Sequence, residues 1–356
     1  MKRILIFLFL ISAFGSMIAK DYNEISVLQF NIWQEGTVIE GGFDAITNEV
    51  ARLDPDFVTF SEVRNYNNTR FCDRITDALA ERGKKYYSFY SNDTGILSKY
   101  EITDSATVFP LNDDHGSIHR LNTFIGKHEF AIYTGHLDYL NDTYYEVRGY
   151  DGNTWNKMDE PLTDVSEILK RNALSQRDEA IEHFLVDAKN QTSHGAMIIF
   201  GGDFNEPSHL DWIEATRDSA DHHGVVIEWP STLSLHKAGY KDAYRVVYPN
   251  PVTHPGYTYP SANAAREPQS ITWAKDSDER DRIDYIFYLP ANGLEACSAV
   301  IIGPSDCVVR SKVEPSWSQD KFIEPIGVWP TDHKALLVKF RYSQKHATKL
   351  HSHNMD

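Results

Sequence analysis

Six apolar segments that each meet a polar residue constrain this chain more than any other feature. They are "ISVLQFNIW", "FVTFSEV", "EFAIYTGHLDY", "AMIIFGGDF", "RIDYIFY" and "ALLVKF", all of strand length. Several alternate sides imperfectly and read as buried on both faces, as in a sheet covered by helices or by another sheet. Helical stretches lie between them: Phe43, Ile46, Val50 and Leu53 make one apolar stripe, and a longer one runs from Ile168 to Ala188. With 356 residues, no internal repeat and no low-complexity linker, the pattern predicts a layered α/β sandwich in one domain.

The polar residues recur mostly at one end of these strands. Asn31 closes "VLQFN", Glu62 closes "DFVTFSE", His136 and Asp138 close "AIYTGHLD", and Asp203 with Asn205 follows "IIFGG". Asp284 sits in "DRIDYIFY", and Asp332 with His333 precedes "KALLVKF". Burial raises the energy of a charged carboxylate, so each of these needs a cation or hydrogen-bond donors nearby. Taken singly, each has an ordinary explanation: Asn31 as a turn residue, Glu62 as a surface carboxylate, His136 as a satisfied core histidine, Asp284 as a partner for Arg280 or Arg282. Recurrence shifts the balance, because strands of one sheet or of two packed sheets can bring such groups to one cleft.

The inventory has chemical sense. Glu62, Asp203, Asp284 and Asp332 with two amides and two histidines, and no cysteine, suit Mg²⁺, Mn²⁺ or Ca²⁺ better than zinc. Histidines beside carboxylates supply a general base and charge stabilisation. The combination fits metal-assisted hydrolysis of a phosphate ester.

Composition narrows the setting. "MKRILIFLFLISAFGSMIAK" places Lys2 and Arg3 before an apolar run and small residues, the layout of a secretory signal over residues 1–19. The run is shorter than the roughly 20 residues a span needs, so an exported, periplasmic or extracellular protein without a membrane anchor is expected. Net charge is −16, and loss of Lys2 and Arg3 makes it −16 − 2 = −18. A phosphate-rich polymer would be repelled unless the field is locally reversed, which weighs against a non-specific nucleic-acid binder. Three cysteines are too few for a disulfide scaffold. Cys297 and Cys307 could close a small loop, while Cys72 reads as a buried free thiol.

"LQFNIW", "FSEV", "TGHLDY", "GGDFN", "RIDYIF" and "TDH" occur in the order and approximate spacing of the endonuclease/exonuclease/phosphatase superfamily, and the chain resembles it over roughly residues 25–340. That superfamily includes pancreatic deoxyribonuclease-like nucleases, sphingomyelinases and inositol-polyphosphate phosphatases. The resemblance implies a four-layer αββα sandwich of two packed mixed sheets, in a catalytic domain spanning 20–341; the tail at 342–356 has no apolar pattern and reads as disordered. It also implies that Glu62 is the main metal carboxylate, with Asn31 and Asp332 beside it, and that Mg²⁺ or a similar ion is the cofactor. By the same resemblance, Asp203 orients or deprotonates the water or protonates the leaving oxygen, and Asn205 holds phosphate or water. His333 is paired with Asp284, and His136 contacts the phosphate.

Substrate choice falls to loops. "YYEVRGYDGNTWNK" combines Arg148 and Lys157 with Tyr144, Tyr145, Tyr150 and Trp155, which could clamp a second phosphate and stack a sugar or base. "YPNPVTHPGYTYP" offers His254, Tyr257 and Tyr259 in the same role, and "GSIHRLNTF" offers His119 and Arg120. Structural packing explains each equally well. The acidic balance favours a small, lipid-linked or sugar-linked phosphoester over nucleic acid, and a monomer is expected. A secreted nuclease is the alternative, and an inactive carbohydrate- or phosphate-binding module a remoter one.

Overall fold

The computed structural model describes residues 22–112 and 114–343; the predicted signal segment lies outside them, as does the tail beyond Ser343. In chain order the strands are β1 (Tyr22–Asn31), β2 (Phe57–Val63), β3 (Asp93–Ser98), β4 (Ile102–Phe109), β5 (Gly116–Ile125), β6 (His128–Leu137), β7 (Met197–Asp203), β8 (Lys241–Asp242), β9 (Asp284–Tyr288), β10 (Glu295–Ile302), β11 (Cys307–Val309), β12 (Lys312–Glu314), β13 (Phe322–Ile323) and β14 (Ala335–Ser343). The helices are α1 (Gly42–Leu53), α2 (Phe71–Glu81), α3 (Thr143–Val147), α4 (Val165–Asn172), α5 (Arg177–Ser193), α6 (Pro230–Lys237) and α7 (Ala243–Val247).

Two six-stranded sheets form, ordered β13-β10-β14-β1-β2-β3 and β4-β5-β6-β7-β9-β8. Both are mixed: β1 runs parallel to β2 and antiparallel to β14, and β6 runs parallel to β7, which is antiparallel to β9. Alternation along each strand explains the layering. Val27, Phe57, Ile132 and Ile199 meet between the sheets, whereas their neighbours Leu28 and Val58 join Ile46, Val50 and Ile75 of α1 and α2 on one outer face. Tyr133 and Ile198 join Phe184 of α5 on the other. The result is the expected αββα sandwich. Each large apolar side chain so buried contributes about 1.5–3 kcal/mol.

Three local expectations are revised. The stripe from Ile168 to Ala188 is two helices, α4 and α5, parted at residues 173–176. Strand β14 passes the expected boundary at 341, because Tyr342 and Ser343 pair with Asn23 and Tyr22 of β1. Cys297 and Cys307 are free, and so is Cys72. Cys297 lies at the bulge where β10 meets β14, and Cys307 lies against Lys334, 3.2 Å from its Nζ, so the two thiols serve different packing sites. No helix among the described residues is long and apolar enough to cross a membrane.

Gly201 and Gly202 of "GGDFN" have a spatial reason. A Cβ on Gly201 would overlap Thr59 Oγ1, and one on Gly202 would overlap the Gly135 carbonyl of β6. Only glycine allows this closeness just beneath Asp203.

Candidate active site

The strand-end residues do converge. Cross-strand register sets His136 opposite Asp203, and Asp203 opposite Asp284. From the other sheet, Asn31 donates through Nδ2 to Asp203 Oδ2 at 2.8 Å and to Glu62 Oε1 at 3.1 Å. The same nitrogen lies 3.4 Å from His333 Nε2, and His333 Nδ1 lies 2.9 Å from Asp284 Oδ2. His136 has a carboxylate of its own: Nδ1 stands 2.7 Å from Oδ1 of Asp93, the first residue of β3. Asn205 N donates to Asp203 Oδ1 at 3.0 Å and its side chain donates to the Leu137 carbonyl, fixing it at the end of β6.

A buried polar seam between the sheets supports this cluster. Thr59 Oγ1 donates to Gln29 Oε1, and Gln29 Nε2 reaches Ser61 Oγ at 3.1 Å and Asp284 Oδ1 at 3.4 Å. Ser61 Oγ donates to the Gly135 carbonyl and accepts from Asp203 N. The seam was readable in the sequence, since Gln29, Thr59 and Ser61 interrupt apolar strands at positions facing the neighbouring sheet. Asp93 went unread because it opens its strand in "SNDTGILS", whereas most of the other polar groups close theirs.

The electrostatics follow from burial and pairing. Burial alone would depress the imidazolium of His136, but Asp93, with Asp203 and Glu62, carries its pKa up to about 9. For His333, Asp284, Asp203 and Asp332 likewise outweigh burial and carry it to about 10. Burial and the neighbouring Asp284 charge raise Asp203, against the two histidines. Asp332 is raised by burial and by Glu62, with His333 opposing.

A divalent cation fits here. Asp203, Asp284 and His333 present ligand atoms within 4.8 Å of one another, yet Asp284 is already engaged by His333 and Gln29. Glu62 and Asp332 could also hold it. Both line the cavity, and among the described residues neither forms an ion pair with lysine or arginine. One or two carboxylates facing a phosphate site are the usual holders of Mg²⁺, which keeps several waters.

The cavity is about 300 Å³ and also takes in Arg64, Tyr139, Asp142, Trp155 and Trp273. Trp33, Gln34, Glu62, Asp114, Trp155 and Asn205 line it with left-handed backbones despite carrying side chains. Such strain gathers at functional sites.

Of the residues singled out for substrate, Tyr144, Tyr145, Trp155 and Tyr259 line this cavity, and Lys157 is exposed and paired with Asp276. Arg148 is buried, paired with Asp281 at 2.8 Å and donating to the carbonyls of Ala220 and Asp278, so its charge ties loops together. Tyr150 is buried and its hydroxyl accepts from Asp276 N. His254 stacks on Tyr248, and Tyr257 lies under the guanidinium of Arg280 beside a separate small cavity. His119 is buried against Thr94, and Arg120 pairs with Asp104 and Asp187. Tyr139, Trp273 and Arg64 escaped notice because a loop sequence does not state which side chains face inward.

Two packed mixed sheets carrying a histidine–carboxylate cluster at one end define a deoxyribonuclease I-like α/β sandwich, a phosphoesterase and nuclease fold. Residues 28–333 match the endonuclease/exonuclease/phosphatase family, and the chain belongs to it. Members of that family are hydrolases, generally metal-dependent. An uncharacterized Caenorhabditis elegans protein, F14F9.5, is 29% identical over 277 residues, 75% of this chain and 79% of its own. Among solved structures, truncated Caenorhabditis elegans TDP2 aligns with a TM-score of 0.52 at 16% identity, covering 89% of this chain and 97% of that one. Humanized D. rerio TDP2 gives 0.50 at 16% identity, with 89% and 98% covered. At such identity the likeness is one of fold.

Proposed function

We propose that this protein is an exported, divalent-metal-dependent phosphoesterase that hydrolyses a small, lipid-linked or sugar-linked phosphoester by in-line attack of water. One observation carries the reading: two histidines, each backed by a carboxylate, face the same cavity as Asp203 and the pair Glu62 and Asp332.

Glu62 and Asp332, with Asn31 alongside, would hold the cation. When bound, that ion supplies positive charge against the phosphoryl oxygens. Asp203 is fixed at both oxygens by Asn31 and Asn205, which suits a carboxylate that orients the attacking water and accepts its proton. His136 and His333, each held as imidazolium by a carboxylate at Nδ1, offset charge on the phosphoryl and leaving oxygens. Asn205 positions the phosphate. No covalent enzyme intermediate is needed.

The signal-like run over residues 1–19 supports export, and the net charge of −16 supports a small phosphoester over nucleic acid. The test is hydrolysis of a chromogenic phosphodiester beside the matching monoester, with Mg²⁺, Mn²⁺, Ca²⁺ or chelator, in wild type and His333→Ala. Turnover of at least one ester should vanish with chelator and fall at least a hundredfold in the variant. Turnover indifferent to both would refute the assignment.

A further inference from the structure

We propose that the cavity rim is a stacking platform for a planar aromatic group, so that the substrate's phosphate carries a nucleobase-like or aryl substituent. The inference rests on the phosphoester reading and narrows its substrate class.

Three rings form the platform. Tyr139 and Trp155 are parallel within 6° with centroids 6.3 Å apart, and Trp273 adjoins Trp155 at 4.8 Å with a tilt of 34°. All three line the cavity that holds His136, Asp203 and His333. Trp273 ends the row and is 52% exposed.

A single exposed apolar side chain needs no explanation by itself. This one is held in place. The fully buried Glu279 accepts hydrogen bonds from the backbone nitrogens of Trp273, at 3.1 and 3.2 Å, and of Ala274, at 2.8 Å. Three residues on, Asp276 is gripped from the facing loop: its nitrogen donates to Tyr150 Oη at 3.0 Å and its carboxylate pairs with Lys157 at 2.8 Å. Ser277 Oγ adds a bond to the Arg148 carbonyl. Two loops are thus pinned together with a half-exposed tryptophan at the rim of the cavity.

A fixed π-face binds a flat ring with little ordering cost. The neighbours of Trp273 along the rim are other rings, which favour a planar partner over a polyhydroxylated one.

The experiment uses non-hydrolysable ligands: phenylphosphonate, cyclohexylphosphonate and methylphosphonate, titrated calorimetrically in Mg²⁺ into wild type, Trp273→Ala and Trp273→Phe. Phenylphosphonate should bind about tenfold tighter than methylphosphonate and clearly tighter than the non-planar cyclohexyl compound. Trp273→Ala should bring it within twofold of methylphosphonate, and Trp273→Phe should keep most of the advantage. Equal binding of the three ligands, no binding of any, or a phenyl preference that survives Trp273→Ala would each overturn the platform. Thermal melting of both variants checks that they fold. Turnover of chromogenic esters, measured separately, tells the failures apart: turnover without phenyl preference refutes the platform alone, and phenyl preference without turnover refutes the enzymatic reading alone.

Discussion

His136 and His333 face one cavity but owe their charge to different carboxylates, and this makes them separable. Asp93 stands 2.7 Å from His136 and Asp284 stands 2.9 Å from His333. The folded pKa of His136, about 9, lies above its ordinary 6.5, so the folded chain binds more protons than the unfolded one between these values. The stability this pair contributes is therefore complete below pH 6.5 and disappears as pH rises through 9. In chelator, Asp93→Asn should cost roughly 3 kcal/mol at pH 6 and progressively less toward pH 9, read from urea titrations across that range. Arg64, 3.2 Å from Asp93, adds a loss that does not vary with pH in that window. A gap constant with pH would show that His136 is not held charged. Asp284 was legible because it interrupts an apolar run; Asp93 opens its strand, so a search for polar residues after apolar runs passes over it. Arg148 shows the converse limit. A cation in an aromatic loop looks like a phosphate clamp until its guanidinium proves to be spent on Asp281 and backbone carbonyls.

At the scale of elements, β7 does two jobs. Its apolar half fills both cores, and its glycine pair lets β2 and β6 approach closely enough for Ser61 to tie the sheets together below the site. Gly201→Ala should therefore destabilise by about 1–3 kcal/mol, the usual cost of overpacking, and should lower turnover because Asp203 lies two residues away. Urea unfolding and initial rates measure both effects. An unchanged midpoint would mean the sheets have slack where none is expected. Strands and the helix α1 were legible because two-residue and 3.6-residue periods leave a direct trace in the sequence. The break between α4 and α5 left none: residues 173–176 include no proline or glycine, and the last residue of α4, Asn172, is held by Thr143, Arg177 and Glu206.

Across the whole molecule, the order of the strand-end motifs carried the fold, because two sheets packed face to face bring strand ends from distant parts of the chain to one edge. The same design concentrates acidic groups there, on a chain already at −16. Glu62 and Asp332 face the cavity with no lysine or arginine ion pair among the described residues, and their mutual repulsion adds to burial in raising the pKa of Asp332. Folding thus holds two like charges together, a cost that a divalent cation would remove. Binding to the folded state alone stabilises it by about 2.7 kcal/mol at a hundred times the dissociation constant. Thermal melting should accordingly rise by several degrees on adding Mn²⁺ or Mg²⁺ to chelator-treated protein. Sodium chloride at matched ionic strength should not reproduce the rise, since screening acts on exposed charges more than on buried ones. Glu62→Gln, which removes the repulsion with Asp332 along with the attractions to His136 and Arg64, should lose most of the metal-induced shift. A full shift in that variant would move the cation away from Glu62 and toward the cluster of Asp203, Asp284 and His333.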